Sequence, residues 1–309
     1  MLTGYDDVYP AEYLLLGACS RFPAMKRLYG HRLGAEENRP QLSALAGAAT
    51  IETIELSSSK LHADDLPAML APLKSLRTLI YHIGNSYARV AVRTRDILSA
   101  FSIHATSLRR LAIDDEDEHP FYFYAEADTG DRAEPLSFVG FTALTHLRVA
   151  PVFLFGRTPL MDYVEPGSAE EDEMLNRLRV ALPQNLKSLY ITHAGYMSPG
   201  AQDGMERAFE ILLRHQECIP NLRELVFEGP FADKESVRRV GLLITLAEEV
   251  GVNARAVSLQ ENSYVKERWW GWNEEARFEM CVHNSMGERV QVLPKTVVAV
   301  EGGGDSGNK

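Results

Sequence analysis

An α/β solenoid with a parallel inner sheet and helices on its convex side is the fold the sequence predicts, and three observations predict it. One short phrase, apolar-x-x-apolar-x-apolar, returns along the chain. Several stretches between its copies carry helical periodicity. No strand-like segment is followed by the glycine-rich phosphate turn of a doubly wound sheet.

The phrase is clearest in "LRTLIY" from Leu76, "LRRLAI" from Leu108, "LTHLRV" from Leu144, "LKSLYI" from Leu186 and "LRELVF" from Leu222. Weaker copies are "MKRLYG" from Met25, "IETIEL" from Ile51 and "ARAVSL" from Ala254, and the spacing between successive copies ranges from 25 to 42 residues. Each reads as a short strand whose first, fourth and sixth residues face a core. Between them, "SAEEDEMLNRLRVAL" opens with Ser168 and Glu171 at capping-box spacing and carries Met174, Leu175, Leu178 and Leu182 on one stripe. "GMERAFEILLRHQECIP" places Met205, Phe209, Leu212 and Leu213 on one face and stops before Pro220. "DKESVRRVGLLITLAEEVG" starts at the N-cap-type Asp233, buries Val237, Val240, Ile244 and Ala247, and ends at Gly251. A short strand and one helix cannot bury their own apolar faces, so successive units must stack.

"SFVGFTALTHLRVAPVFLFG", "LPQNLKSLYITHAG" and "IPNLRELVFEG" resemble the irregular leucine-rich repeats of fungal F-box-associated proteins. The resemblance covers about residues 20 to 260 and implies a right-handed, leucine-rich-repeat-like superhelix that recognises another protein, often as the target-reading part of a ubiquitin ligase. An F-box with its leading Leu-Pro is not found ahead of the repeats, and residues 1–20 are too few to hold one. The expected organisation is a solenoid over 1–260, a C-terminal cap over 261–300 in which Trp269, Trp270 and Trp272 cover the last layer, and a disordered tail over 301–309.

Composition narrows the partners. The chain has 309 residues, 45% of them hydrophobic and 24% charged, which is ordinary globular usage with enough length for a sizeable core. A net charge of −11 argues against generic attraction to nucleic acid or anionic membrane, and no apolar run is long enough to span a bilayer. "LLLGAC" before Cys19 has no basic region ahead of it and is too short for a signal. Three widely separated cysteines, Cys19, Cys218 and Cys281, fit reduced thiols in a cytoplasmic or nuclear compartment.

Catalytic and metal motifs fail their tests. "GGGDSGNK" lacks the Gly-Lys-Ser/Thr ending of a phosphate loop, no Gly-x-Ser-x-Gly or His-Glu-x-x-His occurs, and no two of the nine histidines stand at i, i+4. Behind "LRRLAI" lies the acidic run Asp114 to Glu118, followed by the aromatics Phe121 to Tyr124. Read as a calcium loop from Asp114, the run has His119 where glycine is required and Ala125 where the bidentate glutamate belongs. The expectation is an acidic loop that leaves the sheet at Asp114, with the aromatics packed back on the solenoid. No cofactor and no metal are expected, and an enzyme with a dispersed active site is the least favoured reading.

The residues between core positions line the inner face. The position after each first apolar residue reads Lys26, Glu52, Arg77, Arg109, Thr145, Lys187, Arg223 and Arg255, six of eight basic where a lysine-plus-arginine content of 32 in 309 would supply about one. Two readings of this row stand side by side: long side chains covering strand edges with their stems, or a basic ladder attractive to an acidic partner segment. Arg110 and His146 lie in the next column, and Arg148 and Tyr190 two residues further along each strand, supplying types enriched at interfaces. The candidate partner-binding residues are therefore Arg77, Arg109, Arg110, His146, Arg148 and Tyr190, with Asp114 and Asp115 at the opposite rim. The function expected is a non-catalytic scaffold that binds a protein on the concave face; the alternative is the substrate-recognition subunit of an F-box-type ubiquitin ligase, engaging the ligase adaptor.

Overall fold

The computed structural model describes residues 2–3, 11–12, 24–31, 33–34, 50–59, 61, 65–83, 94–115, 135–155, 167–192, 194, 199–229, 231, 234–258 and 291–292. The cap tryptophans Trp269, Trp270 and Trp272, the 301–309 tail, the run Glu116 to Glu118, the aromatics Phe121 to Tyr124, Cys19, Cys281 and the cap residue Asp233 lie outside these residues. The fold is α/β, built on one ten-stranded sheet.

Its strands follow one another in space as they do in sequence. They are β1 (Leu2–Thr3), β3 (Arg27–His31), β5 (Thr53–Ser59), β6 (Thr78–Ile83), β7 (Arg110–Asp115), β8 (His146–Val149), β9 (Ser188–Ile191), β10 (Glu224–Gly229), β11 (Asn253–Ser258) and β12 (Gln291–Val292). The pairings from β3 through β11 are all parallel, and β12 closes one edge antiparallel to β11. A separate two-stranded pair joins β2 (Ala11–Glu12) to β4 (Leu33–Gly34).

The register explains why the phrase recurs. Its fourth positions form one continuous row across the sheet, Leu28, Ile54, Leu79, Leu111, Leu147, Leu189, Leu225 and Ala254. Its sixth positions form a second row, Leu56, Tyr81, Ile113, Val149, Ile191, Phe227 and Ala256. Both rows are buried, as are the leading leucines Leu76, Leu108, Leu144, Leu186 and Leu222. Each such side chain contributes roughly 1.5–3 kcal/mol of burial, so stacked copies supply a core no single copy holds.

The described helices, α1 (Asp65–Leu70), α2 (Thr94–Phe101), α3 (Pro151–Phe155), α4 (Ala169–Ala181), α5 (Pro199–Arg214) and α6 (Lys234–Glu249), share one apolar cluster with these rows. They therefore pack on that face of the sheet, with α1 touching α2 and the helices α3 to α6 touching in sequence. The stripe of α4, the four apolar positions of α5, and Val240 and Ala247 of α6 are buried where periodicity puts them. Pro199 begins α5 five residues before the predicted Gly204, since periodicity reports only the apolar face and not where a helix starts.

Helix ends follow local chemistry. At α4 the Ser168 hydroxyl accepts the Glu171 N–H at 3.3 Å. The Glu171 carboxylate takes the N–H of Gly167 at 2.5 Å, one residue earlier than a standard capping box would. At the end of α6, Gly251 has φ +80°, and its N–H goes to Glu248 O while that of Val252 goes to Ala247 O. This is a Schellman turn, which the left-handed glycine permits.

Arginines on the helix layer are paired with acids. Each arginine of α4, α5 and α6 has a carboxylate beside it: Arg177 with Glu173, Arg179 with Glu217, Arg207 with Glu171 and Glu210, Arg214 with Glu210, and Arg238 and Arg239 with Glu235. Glu206 is the strained member. Burial, only partly offset by Arg239 at 3.6 Å, pushes its carboxyl from 4.5 up to about 7.

Between those values the unfolded chain releases a proton that the folded one keeps, so Glu206 makes stability fall as pH rises from about 4.5 to 7. Glu206→Gln should remove that slope. Allowing for partial exposure, it should stabilise the protein by about 1–2 kcal/mol at pH 8 while changing little at pH 4.5. Denaturant titrations at the two pH values check this, and an unchanged slope would assign it to another group.

Candidate binding face

Alternation along each strand puts the second set of residues on the sheet face turned away from the described helices. Three columns cross it. The first, at the strand starts, is Arg27, Thr53, Thr78, Arg110, His146, Ser188, Glu224 and Asn253, and the second is Tyr29, Glu55, Ile80, Ala112, Arg148, Tyr190, Val226 and Arg255. The third, at the strand ends, holds His82, Asp114, Thr192, Glu228 and Val257. Just ahead of the first column runs the row Lys26, Glu52, Arg77, Arg109, Thr145, Lys187 and Arg223. Each of its residues after Lys26 donates its backbone N–H to the carbonyl of the one before, at 2.8–2.9 Å.

This face divides sharply by exposure. At the strand starts Lys26, Arg77, Arg109, Lys187 and Arg223 are exposed, while Arg110, His146 and Glu224 are half-buried. In the second and third columns, Ile80, Ala112, Val226 and Val257 are buried, together with the charged and polar groups beside them. The inner face is therefore open along one rim and closed along the other.

At the closed side five strands are joined by one polar network. Arg148 on β8 is 0% exposed, with Asp114 at 7%, Glu228 at 1%, Tyr190 at 2% and His82 at 5%. Arg148 Nη2 donates to Asp114 Oδ2 at 2.7 Å and lies 3.8 Å from Glu228 Oε2. The Tyr190 hydroxyl donates to Glu228 Oε2 at 2.6 Å, and Thr192 Oγ1 donates to Asp114 Oδ1 at 3.0 Å. The guanidinium carbon sits 5.3 Å from the centre of the Tyr190 ring, a cation–π contact. Arg148 Nη1 also reaches His82 Nε2 at 3.4 Å. Arginine can only donate, so that contact uses the Nε2 lone pair and places the ring proton on Nδ1. Burial, and next the Glu228 charge, hold the Tyr190 phenol well above its usual value, so it remains a donor.

The sequence-predicted residues thus fall into two groups. Arg77, Arg109, Arg110 and His146 lie on the open rim, whereas Arg148, Tyr190 and Asp114 are withdrawn into the network. Placing Arg148 and Tyr190 on an open surface is corrected: two acids from other strands and an aromatic ring give the guanidinium enough partners to be buried. Asp115 closes β7, and its side chain is outside the described residues. Arg255 is also reassigned, because its strand is shifted by three residues. Ala254 pairs with Leu225, the fourth position of the phrase, so Arg255 falls beside Val226 and reaches Glu224 at 3.5 Å instead of joining Arg223 in the basic row. Glu228, His82 and Thr192 are members that the phrase alone does not single out. Extending the alternation one step past it, to the seventh residue where Asp114 follows Ile113, puts residues at that end of each strand on the same face and would have found them.

Among the described residues no three His, Cys, Asp or Glu side chains are grouped to hold a metal, and no helix is long and apolar enough to cross a membrane. No protein-family model and no curated protein sequence matches the chain.

Proposed function

We propose that the chain is a leucine-rich-repeat-like solenoid that binds another protein through the open rim of its inner face, and that it is not an enzyme. The observation that carries this reading is the division of one sheet face. Strands in sequential order, with the described helices gathered on the other side, leave an edge where Arg77, Arg109, Arg110 and His146 of successive strands reach solvent. The buried network behind that edge ties β6 to β10 together, so the rim is presented by a rigid backing, which lowers the ordering cost of association.

Photocross-linking tests the reading without assuming what the partner is. A benzophenone amino acid at His146 should give discrete protein adducts in a cell extract, while the same probe at Val180, exposed on the helix side, should not. Equal labelling from both positions, or none from His146, would place the binding surface elsewhere or remove it.

A further inference from the structure

Resting on that reading of the rim, we propose that Arg77, Arg109, Lys187 and Arg223 are the docking row for an extended acidic segment of the partner protein, running across the strands from β6 to β10. Three observations carry it. The four residues are held in register by the continuous backbone ladder through Thr145, so their spacing is set by the sheet at about 4.8 Å per strand. All four are exposed and none has a carboxylate within ion-pair distance among the described residues, unlike the arginines of α4, α5 and α6, each of which has one. The acids nearest the row are engaged: Glu52 holds Lys26 at 2.8 Å, and Glu224 takes Ser188 Oγ at 2.9 Å and Arg255 at 3.5 Å. On a chain of net charge −11, four exposed cations gathered in one row are a local feature that the composition does not supply.

Geometry selects the kind of ligand. Arg77 and Arg109 are strand neighbours, as are Lys187 and Arg223, with Thr145 between the pairs. The row therefore offers two doublets of positive charge over a span of about 19 Å. An extended peptide advances about 3.3 Å per residue, so some six residues cover that span with an acidic doublet at each end. The ladder already uses the backbone N–H and C=O groups of the row, so the segment must cross the strands and be read by side chains, not by strand addition. The row contains no aromatic side chain on which a base could stack, which disfavours single-stranded nucleic acid. At its Arg223 end the row opens on a recess of about 240 Å³ lined in part by Gln216, Asn221 and Gly251, room for a further side chain of the segment.

The test is fluorescence anisotropy on the full chain. The probe is a labelled peptide of two Glu-Asp doublets separated by Ser-Gly-Ser; the competitors are its Gln-Asn counterpart and a short oligothymidine. We expect saturable binding of the acidic peptide that weakens as salt rises, no binding of the amide peptide, and weaker binding of the oligothymidine. Changing Arg77, Arg109, Lys187 and Arg223 together to serine should weaken the acidic peptide at least tenfold. The double change Arg177→Ser and Arg238→Ser on the helix side, a control for lost charge, should leave it within twofold. No binding, equal loss in both variants, or tighter binding of the oligothymidine overturns the proposal. Adducts at His146 without peptide binding would leave the rim a binding face and remove only the acidic class; loss of both would remove the reading beneath it.

Discussion

Replacing Arg148 with alanine should lower stability by about 3–5 kcal/mol, the loss expected when one partner of a buried charged set is removed. The cost comes less from the missing guanidinium than from the acids it would leave uncompensated. Asp114 on β7 and Glu228 on β10 would stay buried, keeping their bonds from Thr192 and Tyr190 but not the guanidinium between them. The cation that now stands 2.7 Å from one and 3.8 Å from the other would be gone. The same logic predicts recovery. Arg148→Met combined with Asp114→Asn and Glu228→Gln removes the charges together, and should return most of the lost stability because an uncharged set no longer needs a counter-ion. Urea midpoints for the single and triple variants decide the matter. A single-variant loss below about 1 kcal/mol would mean that solvent reaches the site, and a triple variant no better than the single would mean that shape, not charge, holds the strands.

That network also marks where reading the sequence stops. The apolar positions of the phrase are legible because period and burial coincide: Leu111 and Ile113 of "LRRLAI" face the helices, as alternation requires. The stripes of α4 and α5 are legible for the same reason. What alternation cannot say is whether the other face is covered. Arg148 reads as a surface residue because isolated arginines almost always are. Its burial depends on Asp114, 34 residues away, and on Glu228, itself held by Tyr190 across 38 residues. Asp114 likewise reads as the first member of an acidic run, yet it belongs to the strand, bonded to Thr192 at a separation of 78 residues. Such partners are set by strand order, which no local pattern encodes.

Register fails for a different reason. "ARAVSL" fits the phrase when started at Ala254, but the ladder sets Asn253 N–H on Arg223 O, so Gly251 occupies the place of the leading leucine. The Schellman turn explains the substitution: α6 ends two residues before the strand would need its first apolar side chain, and Val252 packs on the turn instead. An apolar phrase repeated with small residues admits two alignments, and only the backbone hydrogen bonds choose between them. The row is legible in the copies led by a large apolar residue and misleading in the one read as led by Ala254.

Phe209→Ala is the second large expectation, and it probes the helix side of the same strands. Phe209 on α5 is fully buried and meets two rings edge-on, Phe155 of α3 at 5.3 Å and Phe227 of β10 at 5.1 Å. Truncation should cost about 3–5 kcal/mol, the cavity adding to lost transfer energy, with the two edge-to-face pairs included in that figure. Phe209→Leu, which refills most of the volume, should cost roughly half as much. The loss should also be local. β10 pairs only with β9 and β11, and in a stack where each unit leans on its neighbours a weak unit opens before the rest. Amide exchange should therefore accelerate first at Val226, Phe227 and Glu228, while Leu79 and Tyr81 on β6 stay protected. Because Glu228 follows Phe227 on the opposite face, this opening would also release the carboxylate that holds Tyr190. If exchange instead rises uniformly from β6 to β11, the buried network on the far face couples the strands strongly enough to make the sheet a single cooperative unit.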